Sequence, residues 1–252
     1  MTYLATVLAD TPLHYWRMAD GTSAILHDIG SSPIHLLAST NLQGGYSGID
    51  VLSGSQYGAF QLALQAMPVN PFSVECWFWE VDVLGAYCGL VAMDGAAADT
   101  VGLFVTAALQ IQWQVKTVTI TSPLAYAVQQ WHHIVGTYTV AGCQLYVDGA
   151  PVVAGAAVGA VANTRGIYVG QVIAGARQLH GFTSELAIYN TALSAAQVLA
   201  HYNAHTSNAA PAGGIAGGPI SLATGIAPIL GDVLAAVGTS SDAVLASVRK
   251  TY

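Results

Sequence analysis

Apolar residues along this chain come in short β-branched and aromatic runs, separated by Gly, Pro, Asn and Asp. That rhythm belongs to stacked β-sheets and not to alternating strands and helices. It predicts strands over 12–17, 33–38, 58–65, 72–80, 87–93, 101–106, 109–116, 131–139, 143–148, 151–154, 166–171 and 180–189. Within 72–80, Phe72, Val74, Cys76 and Phe78 fall on one face, while Trp77 and Trp79 fall on the other. A strand apolar on both sides belongs in the middle of a two-layer fold. In the stretch 144–153, two apolar runs flank Asp148-Gly149, a pair that tolerates the positive φ angles of a tight hairpin turn.

One helix is predicted from Leu193 to about Ala204, opened by a Ser194/Gln197 capping box with a Leu193-to-Val198 staple. The character then changes. Residues 207–219 are small and Gly/Ala/Pro-rich, which reads as a linker. In 220–252, Leu230, Val233, Leu234 and Val237 recur at helical spacing after Pro228, and Val244, Leu245 and Val248 form a second stripe. Isolated helices this short are marginal in water, so the segment is expected to dock, as an attachment or oligomerisation tail. The resulting division is a β-sandwich over 1–206, a linker over 207–219 and an apolar helical tail over 220–252.

Composition sharpens this picture in one respect. Only 8% of the residues are charged, far below the roughly 25% of an ordinary soluble domain. A surface so poor in charge is expected to hide part of itself against copies of the chain or other proteins. Thirteen acidic residues against six basic ones give a net charge of −7. No Lys/Arg cluster is present to track phosphates, so nucleic acid is excluded as a ligand. Ile220–Val237 is interrupted by Pro228, Gly231 and Asp232, which argues against membrane insertion. Residues 1–10 lack the basic start and cleavage site of a signal peptide, so synthesis in a cytoplasm is expected. Cys76, Cys88 and Cys143 are odd in number and lack C-x-x-C spacing, which reads as buried free thiols.

Three stretches, in order, resemble the concanavalin A-like, laminin G-like family. The first is Ala9 to Met18, with Tyr15-Trp16-Arg17, followed by His27-Asp28-Ile29-Gly30; the second is Phe72-Ser73-Val74-Glu75-Cys76-Trp77. The third and most specific is Trp131-His132-His133-Ile134-Val135-Gly136-Thr137-Tyr138, leading through Leu145-Tyr146-Val147-Asp148-Gly149 and Gly166–Gly170 to Phe182–Asn190 and Ala192-Leu193-Ser194. The resemblance implies an all-β, two-sheet antiparallel jelly-roll sandwich with a short C-terminal helical tail. It also implies that Trp77 and Trp131 are core residues. The acidic position of the late strand is Glu185 in place of the family's usual Asp, which departs from any role tied to the shorter side chain. The family comprises binding and structural modules along with some glycan hydrolases, so the resemblance supplies a fold and not a function.

The chemistry-bearing residues favour binding over catalysis. Glycan hydrolysis needs paired carboxylates on one cleft. Only Glu80-Val81-Asp82 approximates that spacing, and the third acid would fall at Leu84 or Gly85. Glu75 reads as a structural acid. Asp94, Asp99 and Asn163 are fewer oxygens than calcium requires, so no cofactor is assigned and calcium is unsupported. His201 and His205 lie one helical turn apart without a third zinc ligand, and read as surface or interface histidines. His132 and His133 point to opposite faces of one strand. Trp79, Tyr87, Trp113 and Tyr126 are the aromatic candidates for a glycan platform.

The expectation is a non-enzymatic structural and adhesive protein of a bacteriophage virion surface, as a capsid decoration, head fibre or tail component. Copies of itself or other virion proteins would engage the tail, and the sandwich would face outward. A free carbohydrate-binding lectin module is the alternative, and a glycan hydrolase ranks third.

Overall fold

The computed structural model describes residues 2–18, 25–38, 43–46, 48–51, 60–81, 87–94, 100–159, 161, 163–172 and 179–207. In chain order the elements are α1 (Tyr3–Ala9), β1 (His14–Trp16), β2 (Ile25–Leu26), β3 (Leu36–Ala38), β4 (Gln43–Tyr46), β5 (Gly48–Val51), β6 (Phe60–Ala66), β7 (Phe72–Glu80), β8 (Cys88–Asp94), β9 (Thr100–Val105), β10 (Ile111–Val115), β11 (Val118–Thr121), β12 (Trp131–Thr139), β13 (Gly142–Val147), β14 (Ala150–Gly155), β15 (Thr164–Val169), β16 (Gly181–Tyr189) and α2 (Ala195–Ser207).

Two antiparallel sheets face each other, as the apolar rhythm and the family resemblance imply. The first has the order β14-β13-β12-β7-β16-β5-β4, with β1 also paired to β16. The second has the order β11-β10-β9-β8-β15-β6-β3-β2. The two-faced strand β7 lies between β12 and β16, in the interior of its sheet. Its Phe72, Val74, Cys76 and Phe78 enter the core between the sheets, together with Trp16, Leu103, Trp113, Ile134 and Tyr138. All three cysteines are free and buried.

Trp113 reaches across from the second sheet to β12 and donates its indole N–H to the Thr137 carbonyl at 3.2 Å. Gly136 makes that approach possible, since a Cβ there would stand 2.3 Å from the indole ring. At the β13–β14 hairpin, Asp148 and Gly149 both take positive φ, 50° and 79°, as the Asp-Gly pair predicts. Asp148 then holds the neighbouring strand, accepting from the His133 N–H at 2.9 Å and from His132 Nδ1 at 2.8 Å.

The capping box forms as read. Ser194 Oγ accepts from the Gln197 N–H at 3.3 Å, and Gln197 Oε1 accepts from the Ser194 N–H at 2.9 Å. α2 continues three residues past the expected end, to Ser207. The helix α1 is an addition to the sequence reading, which expected one helix within 1–206. It is capped by Thr2, whose hydroxyl accepts from the Ala5 N–H at 3.3 Å. Its Tyr3 and Val7 lie one turn apart and turn inward. β2, β4, β5 and β11 are likewise strands beyond those expected. The linker and the tail residues Leu230, Val233, Leu234, Val237, Val244, Leu245 and Val248 lie outside the described residues.

α1 and α2 pack on the outer face of the first sheet. There Tyr3, Val7, Tyr15, Trp77, Val135, Tyr189, Leu193 and Val198 form a second, smaller apolar cluster. β7 therefore buries both of its faces, one against the opposite sheet and one beneath helices.

Candidate functional site

Alternation along β7 places Ser73, Glu75, Trp77 and Trp79 on the outer face. The helices cover the first three and stop short of Trp79, so one strand passes from a buried polar cluster to an open aromatic surface.

The buried cluster centres on Glu75, which is 0% exposed. Its Oε1 accepts from Tyr3 Oη at 2.9 Å and from His133 Nε2 at 2.8 Å. Its Oε2 accepts from Tyr189 Oη at 2.7 Å and from His201 Nδ1 at 2.9 Å. His201 bridges outward, with Nε2 donating to Asp10 Oδ2 at 2.9 Å. Trp77 completes the ring by donating its indole N–H to Tyr3 Oη at 3.0 Å. Burial alone would push the Glu75 carboxyl up, but the charge of His201 and the hydrogen bonds from His133 and His201 outweigh it, holding the group well below the usual carboxylate range. Burial pulls His201 down, while Glu75 and then Asp10 pull harder and raise it above an ordinary imidazole. Burial, followed by the nearby Glu75 charge, keeps the Tyr3 and Tyr189 hydroxyls protonated as donors.

Every acceptor position of Glu75 is taken, and its side chain is closed to solvent among the described residues. The residue clamps α1, α2, β12 and β16 onto β7, as the structural reading of this acid expects. His201 is thus a buried member of the clamp and not a surface residue, which corrects the sequence reading; paired with two carboxylates, it is desolvated on the sheet-facing side of α2. His205 stacks on Trp77 with ring centres 3.9 Å apart, and burial, reinforced by His133, lowers it to about 4.

The other buried carboxylates are also occupied. Glu185 sits at a bulge in β16 with φ 52°, accepts from Tyr15 Oη and pairs with Arg17 Nη2 at 3.0 Å. Burial raises its carboxyl, and Arg17 opposes that rise. Glu80 is buried and accepts from Tyr126 Oη. Its proposed companion Asp82 lies outside the described residues, as does Asp99. Asn163 uses its carbonyl on the Met67 N–H and its side-chain oxygen on Thr164 Oγ1. Among the described residues no three His, Cys, Asp or Glu groups are gathered to hold a metal ion.

The four aromatic platform candidates separate. Trp113 is 0% exposed and fills the sandwich core, so it cannot stack on a solvent-borne ligand. Tyr126 is 7% exposed; its ring packs edge-on to Phe78 and its hydroxyl is held by Glu80. Both assignments are corrected: β10 turns Trp113 inward, and the Glu80 bond turns Tyr126 inward. Tyr87 is half-buried and stacked on Phe104 with centres 5.2 Å apart, on the other sheet's strand set.

Trp79 alone stands on an open aromatic surface. It lies directly opposite Trp131 on β12 and Phe182 on β16, and directly paired residues share a face. All three are half-buried. The two indoles meet edge-on with centres 6.0 Å apart and an interplanar angle of 62°. Trp131 was expected in the core; it lies instead at the start of β12, past the reach of the helices, and its indole N–H has no hydrogen-bond partner. Trp131 and Phe182 are the residues missed by sequence reasoning, although strand alternation from Trp77 and the 131–139 register contained the signal.

Comparison with known proteins agrees with this architecture. A laminin G family model, described as the concanavalin A-like lectin/glucanases superfamily, matches residues 53–199, more than half of the chain. No curated protein matches. Among solved structures, the binding domain of botulinum neurotoxin DC in complex with rat synaptotagmin II aligns with a TM-score of 0.62 at 12% identity, over 77% of this chain and 51% of that one. A botulinum neurotoxin type C structure, concerned with cell entry dependent on two ganglioside molecules, aligns with a TM-score of 0.62 at 11% identity, over 78% and 52%. Trypanosoma rangeli sialidase in complex with sialic acid aligns with a TM-score of 0.60 at 13% identity, over 79% and 33%. The chain thus spans about half of the toxin domains and a third of the sialidase. At these identities the likeness is one of fold.

Proposed function

We propose that this chain, which belongs to the concanavalin A-like lectin/glucanase superfamily, is a non-enzymatic recognition and adhesion module that holds saccharide on the surface formed by Trp131, Trp79 and Phe182. The single observation behind this reading is that row of three half-exposed aromatic rings across adjacent strands. Pyranose rings present apolar C–H faces that pack on indole and phenyl rings, while their hydroxyls reach polar groups at the edge. The ganglioside dependence of the type C toxin, on the same fold, is consistent with a sugar ligand.

Catalysis is the weaker reading because Glu75, Glu80 and Glu185 are each buried and bonded to tyrosine hydroxyls. A two-carboxylate mechanism needs an acid and a base that face the same substrate. The charge-poor composition further supports a module mounted on a larger assembly, most simply a bacteriophage particle, with residues 220–252 as the attachment.

A glycan array probed with the full chain tests the recognition role. Wild type should retain a defined subset of glycans, and Trp79→Ala should lose at least about tenfold in apparent affinity, as removal of one stacking aromatic predicts. Equal retention by both proteins would overturn the assignment. Light scattering on the full chain and on a variant ending at residue 206 tests the assembly role, and a monodisperse monomer in both cases would refute it.

A further inference from the structure

At one end of the sandwich the β9–β10 turn, residues 106–110, lies against the loop that leaves β11, residues 122–127. Loop tips are ordinarily built from Gly, Asn, Asp and Ser; these read Thr-Ala-Ala-Leu-Gln and Ser-Pro-Leu-Ala-Tyr-Ala. Ala107, Ala108, Pro123, Leu124, Ala125 and Ala127 are all exposed. Leu124 is 79% exposed, more than any other large apolar side chain among the described residues. The one charged residue between Thr106 and Trp131 is Lys116, which follows the opposite end of β10.

The backbone of these tips is largely closed on itself. Thr106 Oγ1 accepts from the Ala108 and Gln110 N–H groups at 3.3 and 3.2 Å, and the Thr106 carbonyl accepts from the Leu109 N–H at 2.9 Å. Ser122 locks the two tips together: its N–H donates to the Ile111 carbonyl at 2.7 Å, its Oγ accepts from the Ile111 N–H at 3.0 Å, and its carbonyl accepts from Gln110 Nε2 at 2.9 Å. The Ser122 hydroxyl donates onward to the Leu124 carbonyl at 2.8 Å, and the Tyr126 N–H donates to the Leu109 carbonyl at 2.8 Å. Pro123 has no N–H to satisfy. Behind the tips the Tyr126 ring is buried and its hydroxyl is held by Glu80.

We infer that these paired tips are a lipid-contact site that dips into the headgroup–acyl boundary of an uncharged membrane surface, with Leu124 as the deepest residue. A loop enters hydrocarbon only where its polar backbone is already bonded, since each unsatisfied group there is costly. The internal bonds of these tips go far toward that condition, and the absence of charge removes the largest remaining desolvation cost. A protein partner fits the tips less well, because a stable interface takes roughly 800 Å² from each side, far more than four alanines, a proline and a leucine present. A lipid surface asks for no matching shape, so a small apolar point suffices for a weak, reversible contact. Without Lys or Arg at the tips, anionic headgroups offer no attraction, and the net charge of −7 opposes them. The contact needs no spanning helix, and it holds whether or not the aromatic row binds saccharide.

The test is co-sedimentation of the full chain with phosphatidylcholine vesicles. Wild type should be retained at lipid concentrations on the order of millimolar, as suits a small apolar contact without charge. Leu124→Asp, at an exposed position that leaves the bonded backbone in place, should lower retention at least about tenfold. Val140→Asp, at a residue 76% exposed just past the far end of β12, should not. Adding phosphatidylserine should weaken retention of wild type. A second readout marks the point of contact: an environment-sensitive dye on Leu124→Cys should shift to the blue with vesicles, and the same dye on Val140→Cys should not, while the native thiols are buried and do not compete. No retention of wild type, retention undiminished in Leu124→Asp, an equal loss in Val140→Asp, no dye shift at position 124, or stronger retention with phosphatidylserine would each overturn the inference. Light scattering without lipid covers the other occupant: self-association abolished by Leu124→Asp, with no vesicle retention, would overturn it and assign the tips to a second copy of the chain.

Discussion

Glu75→Gln is the most informative single change, because it removes one charge while keeping the shape of the side chain. In the wild type, two histidines and two tyrosine hydroxyls all donate to this carboxylate. An amide offers only one accepting oxygen, and its NH2 faces groups that are themselves donors. His201, on the sheet-facing side of α2, loses its principal partner while still buried, keeping only Asp10. Breaking a buried charged pair from one side typically costs about 3–5 kcal/mol, a large share of the roughly 5–15 kcal/mol that holds a domain together. At about 2–4 °C per kcal/mol for a domain of this size, the melting midpoint should fall by roughly 6–20 °C. Differential scanning calorimetry at pH 6 reads the shift directly. Near-ultraviolet circular dichroism, which senses Trp77 beneath the helices, should change with it. A midpoint within about 2 °C of wild type would refute the clamp, and would reopen Glu75 as a group held charged for another purpose.

The same groups give a pH profile. His201 and His132 are raised in the folded state, so their contribution is full below the ordinary imidazole pKa of 6.5 and is lost as pH rises through their folded values. His205 is lowered to about 4, so stability falls as pH drops from 6.5 toward 4 and the unfolded chain takes up a proton that the folded one refuses. Thermal melts from pH 4 to 9 should therefore peak near pH 6.5, and His205→Phe should flatten the acid side alone; an unchanged acid limb would contradict its burial against Trp77. Gly136→Ala should destabilise by about 1–3 kcal/mol, since the Trp113 ring is held by its bond to Thr137 and cannot retreat from a methyl group; urea unfolding at parity with wild type would refute that. Trp113→Ala should cost about 3–5 kcal/mol in the same assay as a core cavity, without the selective loss of glycan retention expected from Trp79→Ala.

The laminin G-like sandwich was legible because its signals are local. The 72–80 alternation, the Asp148-Gly149 turn and the Ser194/Gln197 box each depend on residues a few positions apart, and each formed as the sequence predicts. The α1 helix was not legible. Seven residues capped by one threonine are a weak pattern, and the helix persists because Tyr3 and Val7 find an apolar surface made by β7 and β16.

What the sequence by itself determined is the set of strands and the two faces of each, since backbone pleating forces successive side chains apart. What only the tertiary structure decided is which faces are covered. Glu75 draws its donors from positions 58, 72, 114 and 126 residues away, and no periodicity announces such partners. Trp113 and Trp79 look equivalent along the chain, yet one is sealed by the opposite sheet and the other is left open where the helices end. Burial is a property of what packs on top of a residue, and the packing partners are brought there by the whole fold.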